Sequence, residues 1–254
     1  MTGTPQNILD SQSVSGRYLF PQSRSVSNPF MVKVDGAELA CYRQIGDPNR
    51  LTLVHFHGNG EAVADYIPWM AYELSSLGLN SLFVEYRQYG DSTGKAQLVA
   101  MLGDGEAVVS AAGIPSEKVI AFGRSIGSLY AIELASRQPA IAGLILESGI
   151  AEPSERFLKY ADLSSTSITA NEVVEEARRV FNHQLKLSSY KNPLLILHTE
   201  HDNLVDISHA ERNYQWSASP QKKLVRFSDG DHNSIMEWNQ REYFKALQDF
   251  VNQI

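Results

Sequence analysis

One cysteine, Cys41, stands among 254 residues, so no internal disulfide can form. Nothing beside it marks it as a nucleophile, and it reads as a small apolar residue of the interior. Basic runs are equally scarce: none exceeds Arg178–Arg179 or Lys222–Lys223, and the net charge is -7. A chain of that balance offers no footprint for nucleic acid and no polybasic patch for a membrane surface. No apolar run approaches the roughly 18 residues that span a bilayer. The opening stretch MTGTPQNILDSQSVSG lacks a basic segment followed by an apolar one, so a soluble, cytoplasmic protein with no integral membrane segment is expected. Internal repeats and a low-complexity linker are also missing.

What is present is a hydrophobic content of 43 %, enough for a sizeable core, and it favours one domain over residues 1–254. Ser, Gln and Asn dominate residues 1–28, a composition that predicts a mobile arm, with RYLFP (17–21) supplying aromatic anchors that could dock it. Strands and helices then alternate. FMVKV and ELACYRQ around a DG turn predict a hairpin, and LTLVHFH is the near-continuous apolar run of a strand buried on both faces. Helix-like stretches over 61–78, 95–113 and 128–138 separate the strands LNSLFVEY, KVIAFG and IAGLILES. Residues 151–191 break this rhythm and read as an inserted helical cap, with Val173, Ala177, Val180 and Phe181 on one face of its second helix. The alternation resumes with PLLILHT, a helix near 207–217, KKLVRF and a closing helix over 234–251. The class is therefore α/β: a mostly parallel sheet with helices on both faces, whose carboxyl strand ends gather the site.

Two stretches, GDSTG (90–94) and GRSIG (123–127), match the nucleophile-elbow pattern G-x-S-x-G. An elbow requires a buried strand running straight into a sharp turn and then a helix, so that the hydroxyl projects above the sheet and a helix amino end faces the developing charge. VIAFGRSIGSLYAIELAS meets every part of this. In FVEYRQYGDSTGKAQ several residues separate the strand from Ser92, and STGK reads as a polar loop. Ser125 is accordingly the candidate nucleophile.

A serine needs a histidine base, and the base an orienting carboxylate. His232, in FSDGDHNSI after the last strand, occupies the required carboxyl-end loop. Asp202 follows PLLILHT in HTEHDNLVD and is the candidate acid, with Glu147, Asp206 and Asp231 as rivals; Glu147 could instead pair with Arg124. The backbone amides of Asn59, in HFHGNGE, and of Ile126 are the candidate oxyanion donors, with Gly60 a substitute if the loop shifts by one residue. His57 reads as loop architecture. HFH and HTEH imitate metal-ligand sets, but the spacing of further ligands is wrong, and neither a metal nor a cofactor is expected.

Taken in order, FHGNGE, EYRQYGDSTG, GRSIG, HTEHDNLVD and GDHN resemble the alpha/beta-hydrolase superfamily. More narrowly, over about residues 18–252, they resemble its compact serine-hydrolase branch of abhydrolase-domain proteins and depalmitoylating thioesterases. The resemblance implies the eight-stranded sheet of that fold, and carries nucleophile onto Ser125, acid onto Asp202 and base onto His232. The chain departs from the family pattern at His198–Thr199, where HG is usual, at Val205–Asp206, where VP is usual, and at Gln88, where RGYG has glycine. Membrane-attached members carry an apolar helix or a cysteine-rich arm, and residues 1–40 here have neither, so palmitoylated membrane proteins are disfavoured as substrates. The expected activity is hydrolysis of a small-molecule ester or thioester through an acyl-enzyme. Peptide or amide cleavage, or a non-catalytic binding role for the same fold, are the alternatives. Phe157, Tyr160 and Phe181 either line the cap side of the pocket and set acyl size or pack onto the sheet.

Overall fold

The computed structural model describes residues 7–254; residues 1–6 of the arm lie outside the described residues. Eight strands form one sheet: β1 (Phe30–Val34), β2 (Ala37–Gln44), β3 (Thr52–Phe56), β4 (Asn80–Val84), β5 (Val119–Arg124), β6 (Gly143–Glu147), β7 (Leu194–Thr199) and β8 (Lys222–Phe227). Their spatial order is β1-β2-β4-β3-β5-β6-β7-β8. Strand β2 runs antiparallel to both β1 and β4, and every other pairing is parallel. The helices are α1 (Ser15–Tyr18), α2 (Trp69–Ser76), α3 (Asp104–Ala111), α4 (Gly127–Arg137), α5 (Pro153–Tyr160), α6 (Ala170–Phe181), α7 (His183–Ser189), α8 (Ser208–Trp216), α9 (Ile235–Trp238) and α10 (Gln240–Val251).

The two-residue period of the strands feeds two hydrophobic layers. Val54 and Phe56 of β3, Val119 and Ala121 of β5, and Leu144 and Leu146 of β6 join a core completed by Val108 of α3, Leu129 and Ile132 of α4, and Leu187 of α7. Leu53, Ile120, Phe122 and Ile145 face the opposite layer, against Met70 and Leu74 of α2 and Leu247 and Phe250 of α10. Continuous apolar strands are thus the sequence trace of a sheet covered twice.

Three helices are shorter than their sequence patterns predict. Only a 3₁₀ turn at Val63–Asp65 and then α2 form within 61–78, because Pro68 lacks an amide donor and restricts the residue before it. Within 95–113 only α3 is helical, with turns preceding it up to Gly103. The closing helix is broken at Asn239, whose side chain donates to the carbonyls of Asp229 and Ile235.

Over the arm, Leu9, Val14, Tyr18 and Leu19 are buried in the first core, and Gln97 and the amides of Leu98 and Val99 bond back to Asp10 and Ser15. The cap region holds α5, α6 and α7. Thr169 and Glu172 form a reciprocal capping box at the start of α6, and Val173, Ala177 and Phe181 are its buried face.

Candidate functional site

Strand β5 delivers Ser125 at φ 53°, a left-handed conformation at the tip of the turn between β5 and α4. Such strain costs a non-glycine residue about 1–3 kcal/mol and persists only where neighbours fix it. Here the Ser125 amide donates to the Glu147 carbonyl at 2.8 Å, and Ser128 Oγ donates to the Ser125 carbonyl at 2.6 Å. A Cβ added at Gly127 would meet the Phe56 carbonyl oxygen at 2.0 Å, and one at Gly123 the Gly127 carbonyl oxygen at 2.6 Å. Both elbow glycines are therefore required by close backbone approach.

His232 comes from the loop after β8, where Gly230 takes φ 78°. Its Nε2 lies 2.9 Å from Ser125 Oγ, and its Nδ1 lies 2.7 Å from Asp202 Oδ2. A neutral imidazole donating Nδ1–H to Asp202 leaves Nε2 free to accept the Ser125 hydroxyl proton. Asp202 Oδ1 accepts from the amides of Leu204 at 2.9 Å and Val205 at 2.7 Å. Burial pushes the Asp202 carboxyl up, but the hydrogen bond and charge of His232 and the Val205 amide outweigh it and hold the carboxyl below its ordinary value.

The rival acids are engaged elsewhere. Glu147 pairs with Arg124 Nε at 3.1 Å and accepts the Tyr243 hydroxyl, and burial raises its pKa. Asp206 accepts from the Ser208 amide at the start of α8, and Asp231 from Asn233 and Ser234. Ser92 Oγ accepts the Ala40 amide at 2.9 Å while Thr93 Oγ accepts that of Glu38, so GDSTG staples the backbone of β2. No residue of 90–94 lines the cleft over Ser125.

The departures from the family pattern have local counterparts. Gln88 sits at φ 70°, a backbone that suits glycine, and its side chain accepts from the Ala96 amide. Thr199 donates to the Gly230 carbonyl at 2.9 Å and so ties the end of β7 to the loop of His232.

The amides of Asn59 and Ile126 donate no hydrogen bond among the described residues, whereas the Gly60 amide faces the Tyr89 hydroxyl. The Asn59 side chain has a task the sequence did not reveal. It donates to the Tyr18 carbonyl at 2.5 Å and accepts from the Phe20 amide at 2.9 Å, pinning the arm beside the site. His57 Nδ1–H donates to the Gly58 carbonyl and Nε2 meets Glu85 at 2.8 Å. Burial lowers the basicity of His57, but the Glu85 charge and hydrogen bond outweigh it and raise its pKa. Glu85 also accepts from Val63, so this buried pair fixes the loop after β3. His55 is packed among Tyr66, Phe83 and Phe122, apart from His57. Among the described residues no group of three or more His, Cys, Asp or Glu is placed to hold a metal ion.

A cleft of about 170 Å³ opens over Ser125 and His232, walled by Tyr18 and Phe20 of the arm, Arg156 and Tyr160 of α5, and Leu204 beside Asp202. Tyr160 alone of the three cap aromatics lines it. Phe157 and Phe181 are fully buried, with ring centroids 5.5 Å apart, and Phe157 stacks edge-on against Tyr18. They are core residues, because α5 and α6 close on each other above the arm. Tyr18 and Phe20, legible in RYLFP only as anchors for the arm, and Arg156, which no motif marks, stand beside Ser125 through docking of arm and cap, for which no local pattern codes. Arg124, noted only as a partner for Glu147, donates Nη2 to the His232 carbonyl at 3.0 Å and also pairs with Glu61.

A family model described as "Serine aminopeptidase, S33" matches residues 47–168. Human alpha/beta hydrolase domain-containing protein 17B is 28 % identical over 88 % of this chain and 75 % of its own. The uncharacterized protein YfhR of Escherichia coli strain K12 is 24 % identical over 79 % of this chain and 69 % of its own. Among solved structures, the Pyrococcus furiosus esterase Pf2001 superposes with a TM-score of 0.71 at 19 % identity, covering 92 % of this chain and 99 % of that one. Est1E from Butyrivibrio proteoclasticus, solved with ferulic acid, gives 0.72 at 19 % identity over 88 % of this chain and 98 % of its own. No helix among the described residues is long and apolar enough to cross a membrane.

Proposed function

We propose that this chain, a member of the alpha/beta-hydrolase superfamily, is a serine hydrolase that cleaves a small ester or thioester through an acyl-enzyme on Ser125. The observation that carries the reading is the continuous chain from Ser125 Oγ through His232 to Asp202, with both hydrogen bonds under 3 Å.

In that mechanism Ser125 Oγ adds to the acyl carbonyl carbon as its proton passes to His232 Nε2, while Asp202 stabilises the imidazolium. The carbonyl oxygen becomes an oxyanion, for which the unengaged amides of Asn59 and Ile126 are the donors. Collapse breaks the bond to the leaving oxygen or sulfur, which takes the proton from His232. Water, deprotonated by the same histidine, then adds to the acyl-serine and releases the acid and Ser125. Apart from the substrate and that water, every group this cycle uses is a side chain or amide of the chain itself.

The aminopeptidase description of the matched family supports amide cleavage as a second reading. A fluorophosphonate probe is expected to label the protein and Ser125→Ala to abolish labelling, with 4-nitrophenyl esters of short acids turned over faster than aminoacyl 4-nitroanilides. Faster anilide cleavage favours the second reading. Absence of labelling together with absence of turnover removes both and leaves a binding role.

A further inference from the structure

The charged groups that wall the cleft over Ser125 are the two arginines Arg124 and Arg156, and no carboxylate stands among its lining residues. The two differ in how their charge is met. Arg124 is held between Glu61 and Glu147, both of which line the separate cavity on its far side. Arg156 forms no ion pair among the described residues. Its Nη1 donates to the Leu204 carbonyl at 2.5 Å, its Nη2 reaches the Tyr160 hydroxyl at 3.4 Å, and its Nε is shut off from solvent with no hydrogen-bond partner.

An arginine whose fork is partly desolvated and lacks a counter-ion carries a cost that an incoming anion removes. Neutral acceptors alone explain a donor at this position but not a guanidinium. Each Nη group spends one N–H on Leu204 or Tyr160 and keeps a second, and a planar fork with such donors left suits a carboxylate, which it can bind by charge-assisted hydrogen bonds. The neighbouring hydroxyl of Tyr18, kept protonated because burial pushes its pKa up to about 12, accepts a hydrogen bond from Arg156 and has its own hydrogen to donate on the same side. The cleft's 170 Å³ falls below the roughly 300–1,000 Å³ of pockets for drug-sized ligands, which favours a short substrate over a long acyl chain.

We infer that Arg156 is a specificity residue that binds a carboxylate of the substrate, so that the preferred substrate is a short ester or thioester carrying one free carboxylate. This rests on the serine-hydrolase reading of the same site. The carboxylate can belong to the acyl group, as in a dicarboxylic half-ester, or to the leaving group, and two matched pairs separate these sources. The first pair compares 4-nitrophenyl monoglutarate with 4-nitrophenyl valerate; the second compares 4-acetoxybenzoate with 4-acetoxybenzamide.

In at least one pair the full-length protein is expected to prefer the charged member by at least about ten-fold in kcat/KM, the worth of one good charge-assisted hydrogen bond. Arg156→Gln is expected to remove that preference while changing the rate on the neutral member by less than about three-fold, and Arg156→Lys to retain part of it. The pair that shows the preference identifies which side of the scissile bond bears the anion. Equal rates in both pairs overturn the inference and leave the hydrolase reading intact, provided Ser125 is labelled. An equal loss on charged and neutral substrates in Arg156→Gln also overturns it, since that is the signature of a strut between Tyr160 and Leu204. Loss of labelling and of all turnover in the unmodified protein overturns the hydrolase reading and this inference with it.

Discussion

At the scale of single residues, the two serines that share one motif differ in what their hydroxyls meet. Ser125 Oγ meets an imidazole nitrogen, and Ser92 Oγ meets a backbone amide of β2. Ser92→Ala is therefore expected to cost about 1 kcal/mol in a urea titration, the worth of a hydrogen bond, and to leave fluorophosphonate labelling intact. Asp202→Asn is expected to lower kcat on a 4-nitrophenyl ester about 10⁴-fold with little change in the circular dichroism spectrum, because an amide can select the wrong tautomer of His232. A loss below about ten-fold would instead point to another carboxylate as the orienting group.

At the scale of elements, Arg124 joins β5 to the loop of His232, to β6 through Glu147 and to the loop after β3 through Glu61. Burial alone would weaken its hold on the proton, but the neighbouring Tyr66 phenol and the Glu61 and Glu147 carboxylates more than compensate and raise its pKa. Arg124→Met strands two carboxylates without a counter-charge, and a loss of about 3–5 kcal/mol in unfolding free energy is expected. Arg124→Met combined with Glu147→Gln should recover part of that loss, since one uncompensated charge goes with it. If the double variant is no more stable than the single one, Glu147 is not the group that Arg124 neutralises.

At the scale of the whole molecule, buried neutral histidines set the response to acid. Burial pushes the imidazole of His183 down to about 3 and that of His209 down to about 4, from an ordinary 6.5. Below about pH 6.5 the unfolded chain takes up protons at these positions while the folded chain does not, so stability falls with falling pH, by about 1.4 kcal/mol per pH unit for each histidine until its folded value is reached. His57 acts in the opposite sense. Its pKa is raised beside Glu85, so its contribution is complete below about 6.5 and is lost as the pH climbs through the raised value. The urea midpoint is expected to fall between pH 7 and pH 5, and His183→Asn to flatten that slope by about one proton. A midpoint that is flat over this range would show that neither histidine stays neutral in the folded protein.

Much of the fold was legible because the signals that encode it are local. A two-residue apolar period gives a doubly covered strand, and strand, glycine, serine, glycine and helix in uninterrupted order give an elbow, so Ser125 could be separated from Ser92 by its neighbours alone. The helix ends were less legible, since the apolar pattern runs on through 61–78 and 234–251 while Pro68 and the backbone bonds of Asn239 interrupt the helices.

The sequence by itself determined the class of the sheet, the elbow and the carboxyl-end positions of Asp202 and His232, because each depends on residues within a few positions of one another. Only the tertiary structure decided which carboxylate meets His232, that Phe157 and Phe181 are core, and that Tyr18, Phe20 and Arg156 wall the cleft. Those juxtapositions join residues far apart in the chain, as His232 and Ser125 are at a separation of 107. They come about when the arm and the cap pack over the strand ends, and no short pattern along the chain records which side chains that packing leaves facing Ser125.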